Sequence, residues 1–247
     1  MQRLFLCLLL LCTFAATAQP FDTLRRKDAG DWEFLQVRGN GTIINEGNRH
    51  KGINEGVWTS YWDNGFPHYI TTYKGGIKDG LALETDHEGF TTLMENYRNG
   101  QLEGPRRVYT RGASIAEEAY YSGGVKSGAF TKWYATGRKQ EESNYNNDER
   151  DGKSTWYYEN GQKAAEYNYD RGKIDGDVTL YNDGGKVAEF GAYKEDVQTG
   201  IWKEYYPNGK EKAEGPYVNG EKDGTWKQWD ENSKPAKAIV YKKGVAK

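Results

Sequence analysis

Aromatic residues and glycines in this chain recur at a fixed interval, with no helical 3.6-residue pattern between them. The glycines are Gly56, Gly80, Gly104, Gly128, Gly152, Gly176, Gly200 and Gly224. The tyrosines are Tyr73, Tyr97, Tyr121, Tyr145, Tyr169, Tyr193, Tyr217 and Tyr241. Both series step by 24 residues without insertion or deletion, and a period in this range marks a repeat architecture. With each leading glycine as position 0, position 5 is aromatic in seven of eight repeats: Tyr61, Tyr109, Trp133, Tyr157, Tyr181, Tyr205 and Trp229, with Thr85 in the eighth. Position 2 holds Trp58, Phe130, Trp202 and Trp226, and smaller or polar residues elsewhere. Asn-Gly occupies positions 8 and 9 in Asn64-Gly65, Asn160-Gly161 and Asn208-Gly209, and position 20 is Gly or Asp in all eight repeats.

This pattern predicts strand, tight turn, strand, looser turn in every repeat. Asn-Gly between aromatic-rich runs is a strong hairpin signal, because both residues accept the positive φ of a type I′ turn. A two-residue turn there sets the leading glycine opposite the recurrent tyrosine, where a ring could cover the bare backbone. Position 2 then shares a face with that tyrosine. The opposite face carries position 5 beside position 14, which is glutamate in Glu118, Glu142, Glu166 and Glu214. The expected fold class is all-β: an elongated single antiparallel sheet of tandem 24-residue hairpins, extending roughly 75–80 Å at about 4.8 Å per strand. Residues 56–247 make the eight repeats. Residues 32–55 read as a degenerate capping repeat, with Trp32 in place of the glycine and Arg49 in place of the tyrosine, and residues 19–31 read as a linker. The lysine-rich end, residues 237–247, suits an edge strand, where lysine discourages pairing with another molecule.

The N-terminus changes the setting. Arg3, the apolar run 4–14 and Ala16-Thr17-Ala18 form a signal-peptide pattern, with cleavage expected after Ala18. Cys7 and Cys12 are the only cysteines and both fall in that segment. The exported chain therefore has no disulfide, thiolate nucleophile or cysteine-held metal. It is expected in the periplasm, on the envelope or secreted. With 34 basic against 36 acidic residues, charge does not favour nucleic acid or an anionic membrane surface.

Stretches such as GKSTWYYENGQKAAEYNYDRGKID (152–175) and GIWKEYYPNGKEKAEGPYVNGEKD (200–223) resemble the MORN-repeat variant, in the form found in bacterial YwqK-like proteins. The resemblance covers about 56–247, and 32–55 weakly. It implies a row of hairpins in one sheet and roles in lipid contact, scaffolding or protein binding. The antitoxin label attached to the bacterial form fits poorly with a signal peptide. Repeats two and three depart most: Thr85 replaces the aromatic, and the turn glycine comes one place early at Gly112.

Catalytic chemistry finds little support. His50, His68 and His87 share no ligand spacing, and a metal needs several converging ligands. The acidic turn Asp148, Glu149 and Asp151 reads as solvated, and the four-membered Glu row reads as partners for position-3 residues such as Lys203 and Thr131. No catalytic residue, metal or cofactor is expected. The position-5 rings and the Glu row form the candidate binding face, and the tyrosine column is structural. The leading reading is an exported protein-binding or scaffold module. The alternative is an envelope glycan or lipid binder using the aromatic rows. The partner, the oligomeric state and the face used are left open. Tyr145→Ala or Tyr169→Ala, in mid-array, is expected to cost about 3–5 kcal/mol; an unchanged melting curve would refute a structural role.

Overall fold

A computed structural model describes residues 22–247; the signal-peptide segment and its cleavage site lie outside the described residues. All described secondary structure is β, in one antiparallel sheet of 23 strands. Among the described residues no helix is long and apolar enough to cross a membrane. The expected architecture of tandem hairpins in a single sheet is the one observed.

The expected register holds throughout. In all eight repeats the leading glycine lies opposite the recurrent tyrosine, from Gly56↔Tyr73 to Gly224↔Tyr241. The turns, however, exchange roles. Between β4 (Ile53–Tyr61) and β5 (Pro67–Lys74), the Trp62 amide donates to the Phe66 carbonyl at 2.8 Å and the Gly65 amide to the Trp62 carbonyl at 3.0 Å. Of Asn64 and Gly65, only Gly65 has positive φ, at 86°. This is a three-residue loop, a type I turn closed by a left-handed residue, and not the expected type I′ turn. It shifts the pairing by one residue, and a bulge between Ser60 and Tyr61 shifts it back. The glycine–tyrosine pairing survives because the two offsets cancel.

The two-residue type I′ turn sits at positions 19 and 20, the connection expected to be looser. Lys74 pairs with Ile77 across Gly75-Gly76, whose φ values are 57° and 81°. Asn99-Gly100, Asn219-Gly220 and even Glu195-Asp196 repeat the geometry. Aspartate at position 20 adds its own bond: Asp148 and Asp196 accept the amides of Lys126 and Ile174 in the preceding repeat, at 2.8 and 2.7 Å.

The leading glycine is required for backbone reasons, not to seat a ring. Beyond each type I′ turn the register jumps, as from Tyr73↔Lys78 to Thr71↔Ala82 where β5 meets β6 (Ile77–Thr85). The bulge sets Gly80 at φ 110°, and all eight leading glycines have positive φ, a region costly for residues with a Cβ. No atom of the recurrent position-17 tyrosines is among the nearest neighbours of a Cβ built at these glycines.

The alternation of the strands creates a packed face and an open face. Position 2 lines the packed face, and Phe130, Val178, Trp202 and Trp226 are all buried there, Trp226 to 1% exposure. Each position-2 residue meets position 15 of the preceding repeat, eleven residues earlier, as the direct pairs Gly47↔Trp58, Thr71↔Ala82, Ala119↔Phe130 and Tyr167↔Val178 show. The two positions complement each other in size. Every position-2 tryptophan follows a glycine, namely Gly47, Gly191 or Gly215, at which an added Cβ would overlap the indole. The charge analogue is Glu95 with Arg106, bonded at 3.1 Å. The recurrent tyrosines flank these rings edge-on: Trp202 lies 5.4 Å from Tyr193 and 5.6 Å from Tyr217.

At the N-terminal edge the segment read as a linker is partly a strand. β1 (Asp22–Lys27) runs antiparallel to β2 (Trp32–Gly39), from Asp22↔Arg38 to Lys27↔Glu33. Its sequence DTLRRK buries nothing. It pairs the backbone of the capping repeat and presents a charged outer edge. In the capping repeat, Asn40-Gly41 does form the two-residue turn, with φ 51° and 82°, between β2 and β3 (Thr42–His50).

Gly191→Ala has ordinary backbone φ and meets only the indole. It is expected to cost about 1–3 kcal/mol by overpacking, and Trp202→Ala about 3–5 kcal/mol. The double variant is expected to lose clearly less than the two costs added, because removing the ring makes room for the methyl. Additive losses in chemical denaturation would refute the contact.

Candidate functional site

The candidate binding residues fall on the open face, where strand alternation puts them. Position 5 of each repeat reaches position 14 of the one before, fifteen residues earlier. The Tyr61 and Tyr181 hydroxyls donate to Glu46 and Glu166 at 2.6 Å, and the Tyr157 hydroxyl donates to Glu142. Where position 5 is tryptophan the carboxylate turns to a cation instead. Glu118, preceding Trp133, binds Arg107, and Glu214, preceding Trp229, binds Lys203 at 3.0 Å. The Tyr109 hydroxyl points at the Met94 sulfur, 3.9 Å away, and Tyr205 stands fifteen residues after Phe190. All seven position-5 rings are half-buried. The row is thus a cross-linked network of hydroxyl, carboxylate and ammonium groups rather than a bed of free rings.

The network sets its own electrostatics. Burial, then the carboxylate acceptor, pushes Tyr61, Tyr157 and Tyr181 up to about 12. Burial alone would raise the Glu166 carboxyl. Hydrogen bonds from Lys153, Lys163 and Tyr181 outweigh it and hold Glu166 at about 2. In Glu142 and Glu214 the same kind of lysine bond comes first and lowers the carboxyl.

The tyrosines of position 17 lie on the packed face, half-buried. Cations of position 22 cover several of them: Lys78 lies 4.7 Å from the Tyr97 ring and Lys126 4.5 Å from Tyr145. In mid-array, where Ser143 meets Ser154, the Arg150 guanidinium fills the space among Tyr145, Trp156 and Tyr169, and bonds Glu141 at 2.7 Å.

Two features escaped the sequence reading. Position 6 ties repeats together: the Tyr134 and Tyr158 hydroxyls donate to the carbonyls of Tyr157 and Tyr181 at 2.7 Å, and the Trp62 indole to that of Thr85 at 3.1 Å. The Asn of Asn-Gly does the same one step out. Asn64 and Asn160 donate to the carbonyls of His87 and Asp183 in the next loop, at 2.6 and 2.7 Å. The signal was the aromatic at position 6 in Trp62, Tyr134, Tyr158 and Tyr206. The histidines meet rings rather than each other: Trp62 is stacked between His68 at 3.4 Å and His87 at 3.9 Å, and His50 stacks on Trp32 at 4.7 Å. No group of three or more His, Cys, Asp or Glu able to hold a metal occurs among the described residues.

Beside exposed polar residues such as Asn144, Lys153 and Asp177, the open face leaves several large apolar side chains accessible. Val57 and Ile201 at position 1 are 54% and 51% exposed, and Leu81, Tyr120, Phe190 and Val240 share this face with large exposures. Ile53, Ile77 and Val197, at position 21 beside the type I′ turns, extend the row.

Three segments, residues 150–171, 198–219 and 222–243, match the family model of the MORN repeat variant. Each begins at position 22 of the 24-residue frame, so the matches keep the internal phase. The chain therefore carries repeats of this variant. Repeats of this type are generally protein- or membrane-binding modules, and the family is typically non-enzymatic. No curated protein matches the chain.

Because Glu166 is held near 2 in the folded protein against an ordinary 4.5, its stabilising contribution is complete above pH 4.5 and lost as pH falls toward 2. Glu166→Gln is expected to lose stability at neutral pH and to show a flatter acid limb than the wild type across that window. Parallel acid limbs in denaturant titrations would refute the network.

Proposed function

We propose that this chain is an exported, non-enzymatic module that binds a protein partner on its open face, as a scaffold of fixed spacing. The observation that carries this reading is the row of exposed Ile53, Val57, Ile77 and Leu81 on β4 and β6, the two strands that flank β5 in the sheet. Exposed apolar side chains gathered on one face, rimmed by charged and polar groups, suit association with another protein. The Tyr–Glu–Lys network beside them supports the same reading, because side chains already held in place lose less entropy on binding. A fixed repeat also lets an extended partner gain small contributions from several hairpins. Export rests on the signal-peptide pattern of residues 1–18 and places the protein in the periplasm, on the envelope or outside the cell. A lipid or glycan platform built from the position-5 rings is less well supported, because those rings are half-buried and three of their hydroxyls are engaged by glutamates.

The test uses the purified chain as bait against envelope extract, beside a Val57→Lys/Leu81→Lys variant with an unchanged melting curve. One protein is expected to be retained near stoichiometrically by the wild type and about ten-fold less by the variant, which corresponds to ~1.4 kcal/mol. Equal retention by both, or an eluate of carbohydrate without a dominant protein, would overturn the reading.

A further inference from the structure

The packed face is not filled evenly. Large position-2 rings occupy it at Phe130, Trp202 and Trp226, but at the junction of the first two repeats the paired residues are Thr71 and Ala82. Both are small, and a depression of about 630 Å³ opens beside them. Leu35 and Val37 of the capping repeat give it an apolar floor, and Trp58, Tyr69 and Tyr73 give it aromatic walls. The Trp58 indole rests on Gly47 and its ring nitrogen donates to the Asn48 carbonyl at 2.8 Å, so the ring is fixed in place.

The polar lining is distinctive. Asn45, Asn54, Ser60 and Thr71 bring amides and hydroxyls, and Arg49 and Lys78 bring two positive charges. Arg49 bonds the Asn54 amide oxygen at 3.0 Å and lies over Trp58, while Lys78 lies over Tyr97. Among the described residues neither cation pairs with a carboxylate, whereas Arg106, Arg107, Arg150 and Lys203 all do. No carboxylate lines the depression. The nearby Glu84 accepts the Tyr69 hydroxyl at 3.3 Å, and Glu95 is engaged by Arg106 and Tyr97.

We propose that this depression is a binding site for a carboxylate-bearing saccharide, of the uronic-acid class. Flat aromatic walls suit the apolar faces of a sugar ring. Clustered amides and hydroxyls match its hydroxyl groups, and the two unpaired cations complement a carboxylate. The volume is within the range of small-ligand sites, about 300–1,000 Å³. An acidic peptide is the poorer fit, because the lining offers many hydrogen-bonding groups and only a shallow apolar floor. The site is independent of the protein-binding reading, since it lies on the other face of the sheet.

Trigalacturonate titrated into the purified full chain, followed by calorimetry and tryptophan fluorescence, tests the proposal. A neutral galactose trisaccharide and a tri-glutamate peptide serve as comparisons. Saturable binding of trigalacturonate is expected, at least about ten-fold tighter than either comparison and weakened by salt. Arg49→Gln and Lys78→Gln, on the surface of an otherwise intact fold, are each expected to weaken it about ten-fold with unchanged melting. Absence of saturable binding, equal binding of the neutral sugar, preference for the peptide, or variants that bind like the wild type would each overturn it. If either variant melts early, Lys78→Arg, which keeps the charge, is expected to bind like the wild type, and its failure to do so would also overturn the assignment.

Discussion

The contact on which the rest depends is the one between position 2 of each repeat and position 15 of the repeat before. A single hairpin has only one layer and cannot bury its own side chains. Its position-2 residue is buried only because the preceding hairpin supplies the surface it lies on, as Gly215 does for Trp226 and Ala119 for Phe130. Stability is therefore carried between neighbours, as in other one-dimensional arrays. The size of one partner constrains the other: tryptophan demands glycine, phenylalanine accepts alanine, and arginine takes glutamate. Substitution at one site without its partner opens a gap or forces an overlap.

Concentrating burial on one face frees the other. The open face holds itself together by polar links, Tyr to Glu and Glu to Lys, which need no apolar cover. Its exposed Val57, Leu81 and Ile201 do not contribute to the packed core and are available to a partner. The packed face in turn has one place where its rule produces space, at Thr71 and Ala82, and there the unpaired cations Arg49 and Lys78 collect. Both candidate sites thus follow from the same division of labour, one from what the core does not use and one from where the core is thin.

The turns maintain this arrangement. If the three-residue loops at position 8 were not answered by a bulge, every hairpin would slip by one residue and carry its second strand to the wrong face. The asparagines and aromatics of these loops donate across to the next loop, so the ends of the hairpins are spaced by hydrogen bonds as well as by the strands. At the two edges of the sheet, β1 and the lysine-rich C-terminal strands present charge, which opposes uncontrolled growth.

The sequence by itself determined the period, the all-β hairpin array, the pairing of each leading glycine with a tyrosine, and the assignment of the two columns to opposite faces. These follow from local chemistry repeated at fixed spacing, and one copy checks another. The eleven-residue complementarity, such as Gly191 with Trp202, was also written there, but it becomes readable only once the register between hairpins is known. Tertiary structure alone decided which turn is tight, because Asn-Gly accepts several geometries and the neighbouring loop, through His87 and Asp183, selects one. It also decided why position 0 is glycine, since a bulge spanning two strands has no local signature. It placed Asp22–Lys27 in the sheet, because a charged strand with no buried side chain is recognised only by the backbone it pairs with. And it showed that Tyr157 and Tyr181 are already bonded to Glu142 and Glu166: their spacing of fifteen residues becomes a contact only when one hairpin lies against the next.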